Sequence, residues 1–189
     1  MRKSRQEAAE TRRRIVDAAS AEFRSKGIDG AGLSDLMGAA GLTHGGFYKH
    51  FDSKEQLVEE SLTLAMGKFI ESVEAELATG AGERGLDAAI DDYLSAKHRD
   101  NLSGGCPFVA LGSELVRSSD SVRQVTTEGF MKLVDAVATR LQDKTPAAAR
   151  KEALFVLSSM IGALTMARVV TDADLSASIL REARKRLVR

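Results

Sequence analysis

Apolar residues return every third or fourth position along almost the whole chain, and nowhere do they alternate with the period of two that a strand requires. Ile15, Ala18, Ala19 and Phe23 share one helical face, and Leu33, Leu36, Met37 and Ala40 form a second, short stripe. Val58, Leu62, Ala65, Phe69, Val73 and Leu77 mark a long one. Leu86, Ile90, Tyr93 and Leu94 follow, then Val122, Val125, Phe130, Leu133, Val137 and Leu141. Only 2 prolines stand among 189 residues, so little interrupts these runs. The pattern predicts an all-α fold of about nine helices, held together by packing of their apolar faces.

Punctuation divides the runs. The first helix is expected from about Gln6 to Lys26, where Gly27 ends it, and Gly41 stops the second. Thr43 can N-cap a third, with Phe47 and Phe51 four apart and facing inward. Ser53 with Gln56 three residues later reads as a capping box opening a long fourth helix. TGAGERG breaks that helix, NLSGG resets the chain before CPFVALGSELV, Pro146 starts the eighth helix, and Asp172 precedes the last. Three short helices with a glycine-containing turn between the second and third form a helix-turn-helix pattern. The expected division is a helix-turn-helix DNA-binding domain at 1–52 and a helical effector-binding and dimerisation domain at 53–189.

Several function classes fit poorly. The charged N-terminal residues lack the apolar region of a secretory signal, and the uncharged stretch from Ala153 to Ala167 is shorter than the roughly 20 residues of a membrane span. A cytoplasmic protein with no membrane partner is expected, in keeping with a single cysteine, Cys106. Of the 3 histidines, His44 and His50 fall in the GLTHGGFYKHF segment and His98 stands alone, so no metal cluster is expected. Without a nucleophile elbow, P-loop or dinucleotide fingerprint, the chain reads as neither an enzyme nor a cofactor protein. Net charge is zero, yet residues 1–54 carry 10 Lys and Arg against 7 Asp and Glu, a weak sign of an anion-binding N-terminal unit.

GLTHGGFYKHF places two glycines inside a helical pattern, where each costs roughly 1 kcal/mol relative to alanine. On a recognition helix, a missing Cβ lets the backbone approach bases and phosphates. With Phe47 and Phe51 inward, His44, Gly45, Tyr48 and Lys49 lie on the outer face. Thr43, Tyr48, Lys49 and His50 supply donors for phosphate oxygens, and Lys54 stands just inside the next helix. Arg12, Arg13 and Arg14 either reach flanking phosphates or form a solvated helix face. The competing reading of the segment is a glycine-rich solvent loop, and that of the whole chain a helical dimeric interaction protein without sequence-specific DNA binding.

GLTHGGFYKHFDSKEQL resembles the recognition helix and following junction of the TetR family of bacterial one-component transcriptional regulators, and RRRIVDAASAEFRSKGIDGAGLSDLMGAAG is similar to the rest of that family's DNA-binding domain. The resemblance covers roughly residues 8 to 60. It implies a homodimer that binds a near-palindromic double-stranded DNA operator and releases it when a small-molecule effector binds, with repression the family's usual mode. It carries DNA contact onto Thr43, His44, Gly45, Tyr48, Lys49, His50 and Lys54. The chain departs from the family pattern at Gly32, which offers no hydroxyl where a threonine or serine is usual, leaving Ser34 as a substitute. It departs again at Met37, where a small residue is usual.

Further along, LFVLSSMIGALTMARVV is apolar nearly all round, as a helix buried on two sides would be. One side is expected to meet a partner subunit through Ser158, Ile161, Gly162, Leu164 and Thr165, with Ile179 on the last helix. In the resembling family the last two helices form such an interface. Met66, Phe69, Ile70, Tyr93, Phe108, Phe130, Met131 and Val134 are candidates for core or for an apolar effector pocket with Tyr93 as its polar handle. Pro107 suits the first position of a helix, which makes Cys106 its N-cap, where the dipole is expected to lower the thiol pKa. The Gly-Cys-Pro entry resembles a branch of TetR-like regulators that includes sensors of electrophiles and oxidants. The competing reading is a buried small hydrophobe.

Overall fold

The computed structural model describes residues 2–188, with side chains from residue 5 onward. Among the described residues all regular structure is helical: α1 (Arg2–Lys26), α2 (Leu33–Ala39), a 3-10 helix η1 (His44–Lys49), α3 (Lys54–Ala78), α4 (Glu83–Tyr93), α5 (Ala96–Asp100), α6 (Pro107–Leu115), α7 (Asp120–Ala138), α8 (Pro146–Val169) and α9 (Ala173–Leu187). α5 is the element the apolar pattern does not reveal. It is five residues long and has no buried residue, and the Ser95 hydroxyl starts it by accepting the His98 N–H at 3.1 Å.

Local chemistry sets the other boundaries. The Ser53 hydroxyl accepts the Gln56 N–H at 3.1 Å, while the Gln56 side chain returns to the Asp52 N–H at 2.9 Å, so the capping box closes one residue earlier than its usual form. Pro146 is the first residue of α8 behind Thr145, whose hydroxyl accepts from Ala148. Asp172 caps α9 through the Leu175 N–H at 2.8 Å.

Packing follows the predicted stripes. Ile15, Ala19, Phe23, Leu36, Met37, Phe47 and Phe51 bury the face that α1, α2 and η1 share, and Leu57 and Leu62 of α3 extend this core without a break into the C-terminal helices. α1 is further tied to α3 by the Arg12–Glu60 ion pair, the Lys68–Asp17 pair at 2.5 Å and the Ser61 hydroxyl donating to the Val16 carbonyl at 3.3 Å. α8 is long and apolar enough to cross a bilayer by length and composition alone. In the fold its inner side, Ala153, Val156, Leu157, Met160, Leu164 and Ala167, packs into the core against α7 and α9.

Candidate nucleic-acid interface

Two glycines in succession weaken α-helical propensity, and the segment expected to be a third α-helix adopts the tighter 3-10 form instead. Gly46 N–H bonds to Thr43 and His50 N–H to Phe47, at 3.0 and 2.9 Å. Phe47 and Phe51 are buried and stacked with ring centroids 5.6 Å apart, which fixes the orientation of the rest. Thr43, His44, Gly45, Tyr48 and Lys49 are exposed on one surface, His50 is half-buried, and Tyr48 stands 67% exposed with its ring edge against Phe47. Thr43 is the N-cap in extended conformation, but contrary to expectation its exposed side chain makes no cap bond.

The two glycines differ. A Cβ on Gly46 would meet Met37 Cε at 3.5 Å, so the fully buried Met37 fills the space beside it. A Cβ on Gly45 would meet nothing within 4 Å. Nothing inside the protein requires glycine there.

Ser34 is exposed near the start of α2, where Gly32 caps in extended conformation without a side-chain bond. Lys54 is turned inward, its ammonium donating to the Ile28 carbonyl at 2.6 Å. An ammonium has three donors, so that bond leaves two for a phosphate. The three arginines separate: Arg12 pairs with Glu60 and lies 4.1 Å above the Phe51 ring, Arg14 donates to the Ala40 carbonyl at 2.6 Å at the end of α2, and Arg13 is exposed beside Glu10. Arg12 and Arg14 thus brace the helix-turn-helix unit.

The candidate pocket residues fall into two groups. Phe69 and Tyr93, with Val73, His98 and Arg24, line a cleft of about 320 Å³. Phe108 and Phe130 pack edge to face at 5.5 Å elsewhere, while Met66, Ile70 and Val134 are core and Met131 is exposed. Cys106 is the N-cap of α6 as the sequence predicts, and it is fully enclosed. Its N–H donates to His98 Nε2 at 2.9 Å. Burial pushes its thiol up from the ordinary value, against the pull of the Tyr93 hydroxyl, the Val109 and Phe108 amides and the Arg168 charge. The lowering expected from the helix dipole is therefore outweighed by desolvation.

Along α8, Ser158 and Gly162 are exposed and Ile161 and Thr165 half-buried, as is Ile179 on α9. Leu164 instead points into its own core with no exposed surface. The outward face also carries Phe155, 61% exposed, with Leu154, Met166 and Val169, and Leu175 of α9. Phe155 and Met166, which the expected contact set does not include, lie in helical phase with Ser158 and Gly162.

Residues 15–61 match the family model described as bacterial regulatory proteins, tetR family, and residues 83–183 match that of the C-terminal domain of LmrA/YxaF-like transcriptional regulators. HTH-type transcriptional regulator TtgR of Pseudomonas putida is 39% identical over 62 residues, 33% of this chain and 30% of that protein. HTH-type transcriptional repressor KstR2 of Rhodococcus jostii is 32% identical over 91 residues, 46% of this chain and 45% of that protein. The match thus spans less than half the length of these curated relatives. A TetR transcriptional regulator from Chloroflexus aurantiacus superposes with a TM-score of 0.82 at 29% identity, covering 97% of this chain and 94% of that one. Reduced Escherichia coli NemR shares the fold with a TM-score of 0.78 at 21% identity, covering 94% and 95%.

Proposed function

The chain belongs to the TetR family of bacterial regulatory proteins, and from that premise we propose that it is a homodimeric transcriptional regulator, a repressor that leaves a near-palindromic operator when an effector binds its C-terminal helices. The observation that carries the reading is Gly45, a helical glycine open to solvent and surrounded by Thr43, His44, Tyr48 and Lys49. Its absent side chain suits the approach of a body outside the protein, and the surrounding donors suit phosphate and base edges. The reading is of a binding protein rather than an enzyme, since the matched models and relatives are regulators.

In a two-fold dimer the paired η1 segments would enter successive major grooves, so their separation decides operator affinity. α3 begins beside η1 and ends among the C-terminal helices, where Phe69 lines the 320 Å³ cleft. A ligand seated in that cleft displaces α3 and lowers affinity only by as much as it prefers the DNA-incompetent arrangement. A second trigger, modification of Cys106, would act at the N-cap of α6, where no added group fits without moving the helix, although enclosure and the raised pKa of the thiol oppose the reaction in the resting fold.

Selection of bound duplexes from a random DNA pool tests the reading. Recovery of a palindrome is expected, and its release by one member of a panel of apolar molecules and electrophiles would identify the effector class. No enrichment at low salt would return the chain to the reading of a helical dimer without sequence-specific DNA binding.

A further inference from the structure

α6 touches the DNA-reading unit at both of its ends. At its C-terminal end Glu114 crosses to the turn after α1, where its Oε2 accepts the Ile28 N–H at 2.6 Å and the Asp29 N–H at 3.1 Å. The Ile28 carbonyl in turn accepts from Lys54, the first residue of α3. Gly27 makes this approach feasible: its φ is +81°, and a Cβ there would lie 2.5 Å from Glu114 Oε1. At the N-terminal end of α6, the Gly105 carbonyl accepts from Arg24 Nη1 of α1 at 3.2 Å and the Cys106 N–H bonds to His98. Glu114 stands eight residues after Cys106, a rise of about 12 Å along the helix.

The Ile28–Asp29 turn leads into α2, which packs on both α1 and η1. A carboxylate accepting two of its amides therefore orients the whole helix-turn-helix unit against the C-terminal helices. The attachment is also releasable. Glu114 is half-buried at the edge of an open cleft of about 260 Å³, which Asp29, Lys54, Val58, Arg117 and Val122 also line, so its side chain can leave without opening the core.

We propose that Glu114 is a positioning residue for DNA binding: it fixes the helix-turn-helix unit through the Ile28 and Asp29 amides. The proposal rests on the DNA-binding reading given above. Glu114 itself touches no DNA in this scheme, and its charge opposes a phosphate backbone. Removing that charge would strengthen operator binding if long-range electrostatics governed its effect. Positioning predicts the opposite sign.

The experiment compares the full-length wild type with Glu114→Ala and Glu114→Gln on the palindrome recovered by selection, together with amide hydrogen exchange at residues 28–29, thermal unfolding and dimer mass. Glu114→Ala is expected to exchange those amides faster and to bind the duplex about tenfold more weakly, the scale of losing charge-assisted hydrogen bonds. Glu114→Gln, whose amide oxygen still accepts, should restore most of both. Undiminished binding by a folded Glu114→Ala dimer overturns the proposal, as does a loss that Gln fails to rescue. If Glu114→Ala does not fold, Glu114→Asp decides, because its shortened carboxylate cannot reach both amides, and wild-type binding by that variant overturns the proposal equally. A wild type that recovers no palindrome removes the DNA-binding reading and the proposal with it, whereas a wild-type palindrome bound equally by the variants removes the proposal alone.

Discussion

His98 accepts the backbone N–H of Cys106 through Nε2 at 2.9 Å while its Nδ1 lies 2.9 Å from the Tyr93 carbonyl. A carbonyl can only accept, so Nδ1 carries the proton and the ring is neutral. A second proton, on Nε2, would set a donor against a donor at the first turn of α6.

The ring's environment gives this arrangement a pH dependence. Burial pushes the His98 pKa down from its ordinary value, Arg168 adds to the lowering, and the bond to Tyr93 and the charge of Asp92 oppose it. A base whose folded pKa is depressed favours the folded state above its unfolded pKa, near 6.5, and that contribution is lost as pH falls through the lower folded value. The thermal midpoint is therefore expected to fall between neutral pH and pH 5, and His98→Gln should flatten that part of the profile. A slope unchanged in the variant would assign the dependence to other groups.

Cys106 is expected to react slowly in the native protein. Its enclosure and raised pKa keep it a thiol at neutral pH, and only a thiolate attacks. Labelling with a thiol reagent should be much slower than after unfolding, and it should accelerate with rising pH beyond the range of an ordinary cysteine. A native rate already at its plateau at pH 7 would contradict the geometry and show that the thiol is activated.

Features set by neighbours along the chain are legible in the sequence itself. Helical phase fixes Phe47 and Phe51 inward, Ser53 with Gln56 opens α3, and Pro107 places Cys106 at an N-cap. Features that depend on distant parts of the chain are not. Desolvation of Cys106 comes from enclosure by other helices, and it outweighs the dipole that the sequence suggests. Lys54 looks like a free cation until the Ile28 carbonyl comes within 2.6 Å, and Arg14 until Ala40 does. The Glu114 bridge joins residues 86 apart in the chain. In the recognition segment the glycines stand out by eye, but the choice of a 3-10 turn over a short α-helix does not, because weakened α-helical propensity alone does not say which form replaces it.

Gly45 separates folding from DNA binding. Its Cβ space is empty in the free protein, so Gly45→Ala should leave stability unchanged or raise it by up to about 1 kcal/mol. The added methyl would stand where DNA is expected to approach, and operator affinity should drop. Tyr48→Ala should likewise weaken binding with little change in the thermal midpoint, because the ring is mostly exposed. Thermal unfolding and affinity for the selected duplex are the two measurements. Full affinity in both variants would exclude this face as the DNA contact.

The outward face of α8 makes the corresponding prediction for assembly. Phe155, Met166 and Val169 are too exposed for an isolated protomer's core, and Ser158 and Gly162 between them leave room for a second helix to come close. Phe155→Glu would bury a charge in that contact and should yield a monomer that keeps its helical content, read by light scattering and circular dichroism. Leu164→Ala, on the opposite side of the same helix, should instead destabilise each protomer by about 2–5 kcal/mol, since the leucine is fully enclosed in its own core. Because two recognition segments must be held at one spacing, the monomeric variant should also lose most of its operator affinity while its helix-turn-helix unit stays folded. A Phe155→Glu protein that remains dimeric would move the interface off this face.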